Sequence, residues 1–407
     1  MPLIDYSFLE KILPRVKIKK TFKEAKKSYL NRVRWATSLF FFAMGFCFSS
    51  WASRIPDIKS FLHLSESELG SLLFALPIGQ LIAMPFSGKI VTQYGSRKIV
   101  ILGMFFYAFC LPFLGLATSI LQLAIVLLLF GFFMNFCNIA VNTQGIYTQQ
   151  LFAKPIMGSF HGAWSLAGFS GALFALIILH FQVNPFHHFI IVFLIAMILA
   201  GLNYKFLIQT KPKKTAIQQE YSLFKTVNKT LIWLGIISFC CMASEGIMLD
   251  WSGVYFKEIV KAPGSLVVLG YTSFMVTMAA GRFLSDILVS KYGARKVLII
   301  SGIVISIGLY TAVLFPYLMS CIFAFMLVGF GVSNVVPIVF NAAGNTKDVP
   351  AGIALTIISG IGFLGFLIGP PIIGYIAQIT SLKYSFAIIA IFGVFISVLA
   401  KNLKIFK

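Results

Sequence analysis

Glu245 stands inside a long apolar run, fourteen residues past Leu231, where that run begins. If the run is a helix crossing a bilayer, a rise of 1.5 Å per residue puts the carboxyl about 21 Å into a core about 30 Å thick. An acid at that depth must face a cavity, find a partner or take up a proton, and apolar surroundings favour the uncharged form. Glu245 is therefore a proton-coupling candidate. The plainer alternative is an acid hydrogen-bonded to the next helix. Asp250 lies five residues further on, where the same helix nears water. It is a second proton-coupling candidate or a simple interfacial acid.

Asn135, Asn138 and Asn142 occupy i, i+3 and i+7, one face of an apolar helix, and Asn334 with Asn341 repeats the outer two 199 residues on. Amides donate and accept, which suits a polyhydroxylated solute and equally suits hydrogen bonds between helices. Asn138 answers to Pro337 in the repeat. That break in symmetry makes it the better candidate for touching a solute. His161 and Trp164 share a face with Ser165 and Gly168. An aromatic ring can stack on a sugar while histidine hydrogen-bonds or titrates, or the pair can simply anchor a helix at the interface. Gln80 follows Pro77 and Gly79, at an expected kink. Gln80, Asn135, Asn138, Asn142, His161, Trp164, Asn334 and Asn341 form the substrate-binding set. Arg282 and Asp286, at i and i+4, can neutralise each other, and as a breakable pair would serve a gate.

The elements that must position these residues are membrane helices. Hydrophobic residues make up 59% of the 407 positions and charged ones 11%, where a soluble chain is about 25% charged. The net charge of +21 does not point to nucleic acid, because the basic residues fall between the apolar runs instead of on one soluble face. The six cysteines all lie inside apolar runs without metal-ligand spacing, which predicts small buried side chains. His180, His187 and His188 have no acid or cysteine nearby. No metal and no cofactor are expected.

Twelve apolar segments are long enough to span, near 35–53, 69–91, 99–117, 121–142, 159–180, 189–208, 231–250, 266–289, 297–315, 318–340, 351–377 and 385–402. Ser65 to Glu68 reads as a capping box opening the second, with Leu64 as its staple. With the first residue cytoplasmic, 27 of the 33 Lys and Arg fall on inner segments, so both termini are expected there, in a multi-pass inner (plasma) membrane protein. Arg54, Lys59, Lys257, Lys261 and Lys383 fall on outer loops.

The chain also repeats itself. Tyr94-Gly95-Ser96-Arg97-Lys98 recurs as Tyr292-Gly293-Ala294-Arg295-Lys296, Trp51 recurs as Trp251, and Pro155 and Pro350 open corresponding spans. The expected organisation is an all-α protein of two pseudo-symmetric six-helix bundles. A basic tail over 1–34, read as an amphipathic helix on an anionic surface or a solvated tail, precedes the first bundle at 35–208. A linker at 209–230, the second bundle at 231–402 and a short tail at 403–407 follow. A doubled membrane bundle implies a transporter with its site between the halves.

The turn at 88–98 resembles the signature loop of the major facilitator superfamily, G-x-x-x-D-x-x-G-R-K. Gly88, Gly95, Arg97 and Lys98 match, while Thr92 stands where the acid is expected. The second copy has Gly293, Arg295 and Lys296, with an acid earlier at Asp286. The resemblance implies a gating latch of Gly88, Gly95, Arg97, Arg282, Asp286, Gly293 and Arg295. Trp51 to Pro56, Asn142 to Gly145, Pro155 to Ser165, Glu245-Gly246, Asp250 to Ser252 and Gly369 to Pro371 are similar to one bacterial branch, which includes the membrane protein of rhizopine clusters and is related to fucose-permease-type carriers. That implies a proton-linked carrier of small sugar-like or cyclitol-like solutes. A monomer among membrane lipids is expected. An exporter of amphipathic compounds is the second reading, and a non-transporting sensor the third. No nucleotide loop or catalytic set argues for an enzyme.

Overall fold

A computed structural model describes residues 19–152, 156–209, 229–344, 346 and 351–406. Among them are twelve helices long and apolar enough to cross a membrane, and no strand. The spans are Lys19–Phe61; Glu66–Leu73 with Ala75–Tyr94; Ser96–Leu116; Ile120–Gln149; Met157–His180; Pro185–Asn203; Lys229–Glu258; Leu269–Tyr292; Ala294–Leu314; Leu318–Gly344; Ala351–Ile379; and Leu382–Asn402. The tail before Lys19, most of the 209–230 linker, and Pro155 and Pro350 lie outside the described residues.

The first span is longer than its apolar core. No glycine or proline interrupts Lys19 to Met44, so the basic segment from Lys19 joins the span as one helix, which continues through Pro56 to Phe61. The seventh likewise runs on to Glu258. Arg54, Lys59 and Lys257, expected on loops, therefore sit on helix ends. Arg54 is buried, and its guanidinium meets Asp57 at 2.7 Å, His188 Nδ1 at 3.1 Å and the Val183 carbonyl. A buried cation needs such partners, and these pin the first span to the start of the sixth.

The second span opens on the capping box. Ser65 Oγ accepts from the Glu68 amide and the Ser65 amide donates to the Glu68 carboxylate at 2.9 Å, with Leu64 buried beside them. This helix breaks at Phe74, three residues before Pro77. The proline ring collides with the carbonyl four residues earlier, at Leu73, which places the break ahead of the proline.

Spans 1 to 6 pack on one another, as do 7 to 12. Spans 2 and 4 cross at two glycines. A Cβ on Gly131 would fall 1.9 Å from the Leu76 carbonyl oxygen, and one on Gly79 would fall 2.0 Å from that of Leu128. Gly131→Ala is expected to cost roughly 1 to 3 kcal/mol by overpacking and to lower the melting temperature of the purified protein by several degrees. An unchanged melting curve would mean that the two backbones do not touch there.

An even number of spans returns the chain to the face it started from. Lys19 and Asn402 lie at this terminal face, and the turns at His63, Gln182 and Lys261 at the far one. Most polar contacts between the halves lie at the far face, while spans 5 and 8 also pack side by side, Gly162 against the Phe283 ring and Gly168 against Met275. Lys59 reaches Glu66 at 3.0 Å and also Glu258 of the second half, while Lys257 donates to the Pro56 carbonyl at 3.1 Å and to Ser60 at 2.6 Å. Ser71 meets Tyr375 at 3.1 Å, between spans 2 and 11.

Candidate functional site

Glu245 lies just past the middle of the seventh span and is 6% exposed. Its Oε1 accepts from Arg282 Nη2 at 3.1 Å, across from the eighth span. Arg282 Nη1 donates to Ser165 Oγ at 2.7 Å, on the fifth span and in the other half. Ser165 Oγ in turn donates to the His161 carbonyl at 3.1 Å, and the Arg282 guanidinium lies 6.0 Å from the centre of the Trp164 ring. One arginine thus joins an intramembrane acid to an aromatic face and a hydroxyl of the opposite half. Among the described residues, the other hydrogen bonds that join the halves are those at the far face. The His161 ring is exposed and packs edge-on against Phe41 at 5.4 Å.

Asp250 is partly exposed and makes no hydrogen bond or ion pair among the described residues. The amides mostly serve their own half. Asn135 Oδ1 accepts from Ser87 at 2.7 Å, linking spans 4 and 2, and Gln80 donates to the Met134 sulfur at 3.1 Å across the same seam. Asn142 donates to the Asn138 side chain at 2.6 Å. Asn334 is buried, donating to the Phe330 carbonyl at 3.0 Å while its Oδ1 has no partner, whereas Asn341 is exposed. The repeated Trp51 and Trp251 are 1% and 0% exposed, and neither indole N–H finds an acceptor.

The family model described as "Major Facilitator Superfamily" matches residues 35–271 and again 234–403, two overlapping matches that together cover both halves. The chain belongs to the major facilitator superfamily. An uncharacterized transporter of this superfamily from Yersinia pestis is 33% identical over 88% of this chain and 92% of its own length. The membrane protein MosC of Rhizobium meliloti is 29% identical over 89% and 88% respectively. A solved structure of the nucleoside transporter NupG matches with a TM-score of 0.69 at 15% identity, covering 91% of this chain and all of that one, so the fold is shared.

The superfamily's signature turns take the same shape in both halves. Gly95 and Gly293 each cap the preceding helix at φ of 87° and 80°, a region costly for any residue with a Cβ. Beyond them Arg97 donates to Gln209 at 3.4 Å and lies over the Tyr204 ring, and Arg295 donates to the Lys401 carbonyl. Each arginine thus ties its turn to the end of the last span of its own half. Gly88 lies within the second span. The side chains of Thr92 and Asp286 lie outside the described part, so the i, i+4 partnership of Arg282 is not placed.

Sequence reasoning missed the trio of Lys59, Glu66 and Glu258 and the tie from Arg282 to Ser165. Ser165 did stand on the face of His161 and Trp164. The far-face acids carried no signal beyond opposite charge at the ends of spans.

Proposed function

We propose that this protein is a proton-coupled carrier of a small hydroxylated solute, sugar-like or cyclitol-like. Residues 35–208 would rock against 231–402 around a central site. The observation that carries this reading is the Glu245 to Arg282 ion pair at membrane depth, because Arg282 is held at the same time by Ser165 of the other half. Protonation of Glu245 removes the charge that holds Arg282. The acid and the movement of the halves thereby share one residue. Trp164, His161, Gln80 and Asn138 supply an aromatic face and polar groups on the first half. The positive-inside count supports a cytoplasmic terminal face, as expected of an inner-membrane carrier, and with that orientation the far-face contacts close the outward side and this conformation faces inward.

The test is reconstitution into proteoliposomes containing a pH dye, with sugars and cyclitols offered outside under an inward proton gradient. Solute accumulation with matching internal acidification is expected. Solute flux without proton movement would remove the coupling. Gradient-driven expulsion of lipophilic cations, with no sugar flux, would replace the reading by an exporter.

A further inference from the structure

Arg282 is more than a counter-ion for Glu245. A guanidinium has five N–H donors, and one goes to Ser165 and one to Glu245. The remaining three have no acceptor among the described residues. The contact with Glu245 is a single bond, so the two-pronged face that matches a carboxylate is not used in full. The Arg282 side chain is 24% exposed and the side chain of its acid partner 8%, which leaves the cation as the more accessible member of the pair. Trp164 lies beside it to receive the ring of a bound molecule.

We propose that the solute is an acid, a hydroxylated ring bearing one carboxylate, and that Arg282 is its receptor. This rests on the carrier reading above and names the substrate class of that site. The solute carboxylate takes the position of the Glu245 carboxylate on the fork, and the displaced Glu245 binds at its Oε atom a proton delivered as hydronium from the aqueous side, the proton that travels with the solute. Empty, the pair is neutral as Glu245 carboxylate with Arg282. Loaded, it is neutral again as Glu245 acid with Arg282 and the solute anion. A proton alone or an anion alone would leave one uncompensated charge, which apolar surroundings oppose. Charge balance therefore couples one proton to one solute.

Among the described residues the titratable groups near the pair are few. His161 faces Arg282 from the fifth span, Cys241 and Asp250 share the helix of Glu245, and Tyr271 shares that of Arg282. Spans 10, 11 and 12 bring no acid or base to this depth.

Glucuronate, glucose and glucosamine share one ring and differ chiefly in charge, so they serve as probes in thermal-shift and direct binding measurements on the purified full chain. Wild type should bind glucuronate in preference to both others. Glu245→Gln removes the competing carboxylate and should bind glucuronate roughly tenfold tighter near neutral pH, since the competent fork is no longer occupied. Arg282→Lys keeps the charge without the fork and should lose roughly tenfold or more. If Glu245→Gln is poorly stable alone, added glucuronate should restore its melting temperature and glucose should not. Preference for glucose or glucosamine, silence with all three, or unchanged glucuronate affinity in both variants would each overturn the acid. The carrier reading stands or falls separately, on proton movement with whichever solute binds.

Discussion

Glu245→Gln is expected to lose proton-driven accumulation while still exchanging external for internal solute. Exchange needs only that the loaded site cross the membrane, and glutamine stands in for the protonated acid of the loaded state, with Arg282 balanced by the solute carboxylate. Net uphill movement needs a group that gives up its proton on the inner side, and glutamine cannot. Counterflow and gradient-driven uptake measured on the same vesicles separate the two steps. Normal accumulation by the variant would discard Glu245 as the coupling acid. The partner residue sharpens the test. Removing one member of a buried pair costs about 3 to 5 kcal/mol, toward the low end here because Arg282 is 24% exposed. Glu245→Gln with Arg282→Gln should recover much of that stability and remain without coupled transport. A double variant that still accumulates solute would move the chemistry elsewhere, with the unpaired Asp250 first in line.

Lys59→Ala is expected to open the far face. Lys59 is buried between Glu66 of its own half and Glu258 of the other. Its loss leaves two carboxylates facing each other at the seam. A partly buried cluster of this kind falls between the exposed and buried limits, roughly 2 kcal/mol, which is roughly a thirtyfold change in the ratio of closed to open forms. A cysteine placed at Ser53, buried near that seam, should then react faster with a membrane-impermeant maleimide added from outside. The six native cysteines are buried, so background labelling is low. Exchanging the charges, Lys59→Glu with Glu258→Lys, should restore part of the protection. Equal labelling of wild type and Lys59→Ala would show that apolar packing alone holds this face shut.

What was readable in the chain follows from the range of each interaction. The spans were legible because a bilayer imposes length and apolarity on each segment separately. The capping box at Ser65 was legible because its partners are three residues apart, and the glycine turns at Gly95 and Gly293 because only one residue type tolerates that backbone. The break at Phe74 follows from Pro77 once the collision is traced back four residues. Partnerships across the fold were not legible. Arg282 offered Asp286 by spacing, while Glu245 lies 37 positions away and Ser165 lies 117. Arg54 and Lys59 read as loop residues because the groups that allow their burial, His188 and Glu258, are contributed from elsewhere in the chain. The amide ladder was visible as a face, but Ser87 as the partner of Asn135 was not.

The ties made by Arg97 and Arg295 carry a consequence for how such a chain could arise. Each fastens the turn after its second helix to the end of its sixth, and neither reaches into the opposite half. A six-helix ancestor with this fastening would already be finished at its rim, so copying it once would yield two complete bodies, with no broken contacts to repair. Only the seam between the copies would then need to diverge. At that seam the two halves of the present chain do differ, with lysine and acid traded across one face and a lone arginine reaching over at the centre.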